Sequence, residues 1–195
     1  ITAYEYRTGA KTLDEVADKL GYPIFVKPAN AGSSVGITKA HDRAELEDAM
    51  ELALQHDTRI PFEEFIDGYE VECAVLGNDE LETGIVGQIL PANEFYDYDA
   101  KYANAASLLR IPAEVSAEKR DEVAEAAKQV FHALGGTGFS RVDFFVEKET
   151  GRVLFNEINT IPGFTSISMY PKLFAASGIP YNEIIDNLLQ LAQEA

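Results

Sequence analysis

Apolar residues along the chain recur with two different spacings, and the change from one to the other marks out the elements. Helical spacing links Leu46, Ala49, Met50 and Ala53, then Val123, Ala126, Ala127, Val130, Phe131 and Leu134, and finally Ile185, Leu188, Leu189 and Ala192. The first of these helices is expected to open at Asp42, with Glu45 completing a capping box, and to run to about His56. The second opens at Ser116 and closes at Gly135-Gly136, and the third starts at Asn182. Two more helices are expected from Thr12 to Leu20 and near Met169 to Ala176. Strand-like runs rich in β-branched and aromatic residues cover Ile1 to Arg7, Tyr22 to Lys27 and Ile37 to Lys39. Three more, Arg59 to Phe65, Tyr69 to Leu76 and Leu81 to Leu90, are separated by Asp67-Gly68 and Gly77-Asn78-Asp79 and predict an antiparallel meander.

The strongest alternation lies in residues 139–159, two strand-like runs joined at Glu149-Thr150-Gly151. A three-residue hairpin loop there, with glycine in the left-handed position, pairs Lys148 with Arg152. Counting back sets Asp143 opposite Glu157 and Arg141 opposite Asn159. Opposed residues share a face, and with period two Val142, Phe144 and Val146 point the other way. Two carboxylates, an amide and a guanidinium are thereby gathered on one patch. Like charges facing each other across a ladder need neutralising, and a hard divalent cation with oxygen ligands does so. Magnesium takes one or two carboxylates together with substrate phosphates, which suits a nucleotide site. The competing reading is the solvated face of an edge hairpin.

Three other stretches carry candidate chemistry. Lys27 ends an apolar run and leads into Ala31-Gly-Ser-Ser-Val-Gly36, small enough for backbone amides to approach phosphate oxygens. It contains neither a Walker loop nor a dinucleotide fingerprint, and a tight connection between strands is the alternative. Residues 62–70 carry acids around an apolar pair, in the manner of an acidic edge strand. Residues 91–107 form a long polar loop dense in tyrosine, in which Glu94 to Tyr102 mixes charges and aromatics without period. A lid over a ligand or a self-packed surface loop would each account for it. His41, His56 and His132 have no metal-ligand spacing.

Composition narrows the partners. The 195 residues suffice for one compact domain or two small lobes, and a net charge of −17 argues against nucleic acid or an anionic membrane surface. A polyanionic ligand would need local lysines, arginines and metal against that field. The single Cys73 sits in an apolar strand pattern and is expected to pack in the core, consistent with a reducing, cytoplasmic setting. No apolar run approaches the ~18 residues of a membrane span. The start at Ile1, without methionine, suggests part of a longer chain.

Phe25-Val-Lys-Pro28 with Gly32-Ser-Ser-Val-Gly36, Glu94 to Tyr102, Phe139-Ser-Arg-Val-Asp143 and Asn156-Glu-Ile-Asn-Thr-Ile-Pro-Gly-Phe-Thr165 follow one another as they do in the ATP-grasp enzymes, and within them the D-alanine-D-alanine ligases. The chain resembles that family over nearly its whole length from Gly21. The resemblance implies an α+β ATP-grasp fold of two lobes, each a mainly antiparallel sheet with helices, and ATP between them. Residues 1–90 would form the small nucleotide-clamping lobe. Residues 91–195 would form the large one, with a lid loop over 93–107 and a magnesium hairpin over 139–159.

By the same resemblance Lys27 meets the α- and β-phosphates, the Ser34 region forms the phosphate loop, and main-chain groups of Glu64 and Ile66 read the adenine edge. Glu63 supports the adenine amino group and Glu70 the ribose hydroxyls. Lys101 contacts the γ-phosphate, and Ser33 and Tyr102 help close the substrate pocket. Asp143, Glu157 and Asn159 match the ligands of two Mg2+ ions, for which Mn2+ could substitute. Arg141 and the Gly163 amide stabilise an oxyanion, while Ser168 and Met169 line the site of the second amino acid. The implied activity is ATP-dependent joining of two D-alanines through an acyl phosphate, for peptidoglycan precursors, in a protein that is a homodimer at full length. A D-alanine-D-serine or D-lactate ligase, or a non-catalytic ATP-binding fragment, are the alternatives. The family carries an N-terminal domain with a catalytic glutamate that does not precede Ile1 here, so these 195 residues alone are expected to bind Mg-ATP and ligate poorly or not at all.

Overall fold

In the computed structural model the described residues are 1–30, 35–90 and 109–194. They form two compact units, Ile1–Ile66 and the described residues from Asp67 onward.

The first unit is built from α1 (Ala3–Thr8), α2 (Leu13–Leu20), β1 (Ile24–Val26), β2 (Thr38–Ala40), α3 (Arg43–Ala53) and β3 (Phe62–Glu64). Its three-stranded sheet has the order β2-β1-β3, with β1 antiparallel to both neighbours. Ile24, Val26 and Ala40 turn to the helices and pack with Leu13, Leu46, Ala49, Met50 and Ala53. Phe25, opposite Lys39 and Glu63, therefore points to the other face. Where a strand was expected from Ile1 to Arg7, the chain makes α1, because Thr2 and Glu5 form a reciprocal capping box. Glu5 N donates to Thr2 Oγ1 at 3.2 Å and Thr2 N donates to Glu5 Oε2 at 2.9 Å. At α3, Asp42 caps Ala44 and Glu45 as expected, but the Glu45 carboxylate accepts from the His41 amide, one residue before the expected Asp42.

The second unit holds β4 (Gly68–Gly77), β5 (Leu81–Thr83), β6 (Gly87–Ile89), β7 (Leu109–Arg110), β8 (Gly138–Glu147) and β9 (Val153–Asn159). They make a six-stranded sheet of order β7-β6-β4-β8-β9, with β5 on β4. The expected meander is corrected at its first strand: β3 pairs with β1 in the other unit's sheet, and β4 starts a new sheet. The first compact unit ends at Ile66 and the second begins at Asp67. The cause is the ladder of β4 on β8, which runs from Gly68 opposite Glu147 to Gly77 opposite Gly138. A side chain at Gly68 would bring its Cβ within 2.7 Å of the Val146 carbonyl oxygen, so glycine lets the two backbones close there.

Helix α4 (Ala117–Ala133), capped by Ser116, covers one face of this sheet. Its Val123, Ala127 and Phe131 pack against Val71, Cys73, Val75, Val142, Phe144 and Val146. Burial pushes the Cys73 thiol up to about 12, in keeping with a packing role. Helices α5 (Met169–Ala176) and α6 (Tyr181–Glu194) complete the unit. The Tyr170 hydroxyl of α5 donates to Val75 O at 3.0 Å, and its ring lies 5.5 Å from Phe139. In α6 the buried side chain is Ile184, while Leu189, expected on the apolar face, is 59% exposed. The periodicity located the helix but set its buried face one position late.

The hairpin β8-β9 reaches the expected pairing by a different route. Glu147 N donates to Arg152 O at 3.0 Å and Gly151 N donates to Glu147 O at 2.9 Å, so the loop is 148–151, one residue longer than expected. Lys148 is drawn out of the ladder, its amide donating to Asp67 O and its ammonium pairing with the Asp67 carboxylate. Phe144 then faces Phe155 while Asp143 faces Glu157, which makes Asn156 the extra residue of a β-bulge. Without the bulge, Glu157 would lie opposite Val142 and point into the core. The longer loop and the bulge offset each other, and Arg141 opposite Asn159 and Asp143 opposite Glu157 stand as read from the sequence.

Candidate functional site

The polar face of the second unit's sheet gathers charge from three strands. Glu72 on β4 lies opposite Asp143 on β8, which lies opposite Glu157 on β9, and Arg141 and Asn159 occupy the next rung on that face. Arg141 Nε donates to Asp143 Oδ1 at 2.8 Å and Nη2 to Oδ2 at 2.7 Å, a bidentate pair. Asn159 Nδ2 donates to Asp143 Oδ2 at 3.0 Å and to Glu157 Oε1 at 3.3 Å. Asp143 and Glu72 are each only 3% exposed. Burial works against the Arg141 charge, but the hydrogen bond to Asp143 and the fields of Glu72, Asp143 and Glu157 outweigh it and hold the guanidinium above its ordinary pKa.

Asp143, Glu157 and Asn159 thus stand together on one face, as expected of a ligand set. Their donors are oxygens, which fits a hard cation. Among the described residues, however, no group of three or more His, Cys, Asp or Glu side chains is arranged to hold a metal, and Asp143 is engaged by Arg141. Glu72 was not singled out by sequence. The available signal was a charged residue inside the apolar run Val71 to Leu76, on a strand flanked on both sides and buried there.

Gly163 and Ser168 lie close to each other: a Cβ at Gly163 would sit 2.8 Å from Ser168 Oγ. Ser168 is the N-cap of α5, yet its hydroxyl accepts from Thr165 N at 3.0 Å instead of capping a helix amide. Met169 is 5% exposed and packs inward, so that a Cβ at Gly87 would come within 3.0 Å of its methyl. Glu70 is half-buried on β4, opposite Ile89 and Phe145.

In the first unit, Lys27 Nζ lies 2.6 Å from Glu63 Oε1, joining two of the expected nucleotide contacts. On the same side of the sheet, Lys39 Nζ sits 4.2 Å from the Phe65 ring centroid and Phe25 lies 6.4 Å from Phe65, an aromatic and cationic face that sequence reading missed. Glu64 is exposed and Ile66 half-buried. Ser33, Ser34, Lys101, Tyr102 and the lid loop over 93–107 lie outside the described residues.

The segment after Lys27 is fastened by Asp57. Its Oδ2 accepts from Asn30 N at 2.8 Å and Asn30 Nδ2 at 2.7 Å, and its Oδ1 accepts from Thr58 N and Arg59 N. The Arg59 amide first, with the Asn30 and Thr58 donors beside it, holds the Asp57 carboxyl below its ordinary value. A depressed carboxyl contributes stability above its unfolded pKa and loses it as pH falls through the folded one. The Asn30 backbone and side-chain amide NMR signals are therefore expected to hold steady from neutrality to about pH 4 and to move only below it. An Asp57→Ala variant should show displaced Asn30 signals already at pH 7; unchanged signals there would mean that the carboxylate fastens nothing.

Two antiparallel sheets with helices packed on them make an α+β fold, and the solved structures that match it place it with the D-alanine ligases of the ATP-grasp class. Among solved structures, the VanG D-Ala:D-Ser ligase from Enterococcus faecalis superposes with a TM-score of 0.85 at 43% identity, over 98% of this chain and 55% of that one. The D-alanine-D-alanine ligase from Coxiella burnetii gives a TM-score of 0.83 at 33% identity, over 98% and 50%. Of curated proteins, the D-alanine-D-alanine ligase of Clostridium acetobutylicum is 53% identical over 193 residues, 98% of this chain and 56% of the relative. That of Clostridium novyi is 51% identical over 195 residues, 100% and 57%. The chain spans about half the length of the curated relatives it matches. The family model described as D-ala D-ala ligase C-terminus matches residues 2–190, and the chain belongs to that family.

Proposed function

We propose that this chain carries the nucleotide and catalytic face of an ATP-dependent enzyme that joins two D-alanines into D-alanyl-D-alanine for peptidoglycan precursors. The observation that carries the reading is the convergence of Arg141, Asp143, Glu157 and Asn159 from two strands in a chain of this family. Lys27, Glu63, Glu64, Ile66, Ser34 and Glu70 are assigned to the nucleotide, Lys101 to its γ-phosphate, and Ser33 and Tyr102 to closing the pocket. Mg2+ entering with ATP would be held by Asp143, Glu157 and Asn159, whose oxygen donors fit it, and would supply neutralisation of phosphate charge. The carboxylate of the first D-alanine takes the γ-phosphoryl group with release of ADP, and the amine of the second attacks the carbonyl of the resulting acyl phosphate, expelling inorganic phosphate from the tetrahedral intermediate. Arg141 and the Gly163 amide are fixed donors for the oxyanion of that second attack, with Ser168 at the rim of the amino-acid site. Met169, turned inward, would shape this site from behind. Use of ATP suits a cytoplasmic setting, and a homodimer is part of the same reading. No described helix is long and apolar enough to cross a membrane.

The test is phosphate release from ATP, measured on the protein at its natural length with D-alanine, D-serine or D-lactate as second substrate. Release is expected to require D-alanine and to be fastest when D-alanine is also the second substrate. An Asp143→Asn variant should lose at least about 100-fold in turnover. The VanG D-Ala:D-Ser ligase among the structural neighbours supports D-serine as the second reading. Phosphate release independent of amino acid, or untouched by Asp143→Asn, would remove the proposal.

A further inference from the structure

We infer that Glu72 is a positioning residue for Arg141, the anchor that takes hold of the guanidinium when a cation draws Asp143 away from it. The inference rests on the proposed reading of Asp143 as a cation ligand and Arg141 as an oxyanion donor, and concerns a residue to which that reading gives no part.

The geometry places Asp143 at the centre of a row. Glu72 flanks it from β4 and Glu157 from β9, about 4.8 Å away on either side at the usual strand spacing. The Arg141 guanidinium is on the Glu72 flank as well as on Asp143: Glu72 Oε2 lies 3.3 Å from Arg141 Nε, the same nitrogen that donates to Asp143 Oδ1 at 2.8 Å. Glu72 and Asp143 side chains are equally withdrawn from solvent, 4% exposed each, while that of Arg141 is 21% exposed. Arg141 is thus held on its inner side by two buried carboxylates from neighbouring strands.

Asp143 binds Arg141 through both oxygens. A divalent cation on the Asp143 and Glu157 oxygens would compete for those lone pairs and repel the guanidinium. An arginine with no other anchor would either exclude the ion or swing out to solvent. Glu72 removes that conflict, because it sits on the side of Asp143 away from Glu157 and already touches Arg141 Nε. As Asp143 turns to the ion, Glu72 retains Nε and leaves the terminal nitrogens aimed outward, where a donor to substrate oxygen is needed. The fields of both Glu72 and Asp143 favour the Arg141 charge, so losing one leaves the other in place.

The experiment is a four-protein cycle of wild type, Glu72→Gln, Arg141→Gln and the double variant, with Mn2+ binding followed by electron paramagnetic resonance at saturating ADP. Glu72→Gln is expected to weaken Mn2+ about tenfold, because Arg141 then has only Asp143 to hold and competes for it. Arg141→Gln should bind Mn2+ at least as tightly as wild type, and adding Glu72→Gln to it should change nothing further. Turnover of Glu72→Gln should fall about tenfold with KM for ATP within about twofold. Equal weakening by Glu72→Gln in both backgrounds would make Glu72 a direct ligand and overturn the inference, as would unchanged Mn2+ affinity in the wild-type background. If Glu72→Gln does not fold, Glu72→Asp serves, with its shorter carboxylate expected to give a smaller loss that again vanishes beside Arg141→Gln. Failure of the underlying reading looks different: Asp143→Asn would then leave Mn2+ affinity unaltered.

Discussion

An Arg141→Ala variant is expected to lose about 3 kcal/mol of stability, the lower end of what breaking a buried ion pair costs, and at least about 100-fold in turnover. The two losses have separate causes. Stability falls because Asp143 and Glu72, both 3% exposed, are left facing each other across β4 and β8 with their shared cation gone. Repulsion between them adds to the desolvation of each. Turnover falls because a fixed donor to the proposed oxyanion disappears. An Arg141→Lys variant separates the effects: it keeps a charge between the carboxylates and should recover much of the stability, but it lacks the planar fork and should stay slow. Thermal melts beside phosphate-release rates decide the matter. Arg141→Ala with wild-type stability would mean that the carboxylates are neutralised by something else.

Phe131→Ala is expected to cost about 4 kcal/mol, and so to lower the unfolding temperature of the unit by roughly 15 °C. The ring is 1% exposed and lies in the cluster where α4 meets Val142, Phe144 and Val146 of β8. Nearby chain has closed around it, since a Cβ on Gly136 would sit 2.6 Å from the ring. The surroundings are therefore poorly placed to collapse into the cavity. Phe131→Leu, which keeps most of the volume, should cost less than half as much. Equal melting temperatures for wild type and Phe131→Ala would show that the helix is not held by this contact.

What could be read from sequence was what depends on short-range pattern. The alternation of Arg141, Val142, Asp143 and Phe144 put the charged pair on one face and the apolar pair in the core, and the structure keeps both. Ser116 and Thr12 located helix starts because the cap is a local hydrogen bond. Ile1 to Arg7 was misread because Tyr4 and Tyr6 mimic strand spacing, when the Thr2 to Glu5 box was the deciding signal. Partners far apart in the chain were less legible. Nothing around Phe62 says that it pairs with Val26, and nothing around Glu72 says that it stands beside Arg141. The loop over 148–151 could not be sized locally, because Lys148 leaves the ladder to meet Asp67, a residue remote in sequence.

The ladder that pins β8 along its whole length to β4 has a practical corollary for the hairpin tip. Alignment of Asp143 with Glu72 is enforced from the β4 side, and that of Asp143 with Glu157 by the bulge at Asn156 and the β8-β9 pairing from Val146 opposite Val153 inward, so closing a longer bend at Glu149-Thr150 adds only a slowly growing entropic penalty. A short flexible tag spliced between those two residues should ride on the molecule without altering how it handles Mn2+, giving a handle for a fluorophore or a surface tether close to the proposed chemistry yet mechanically decoupled from it.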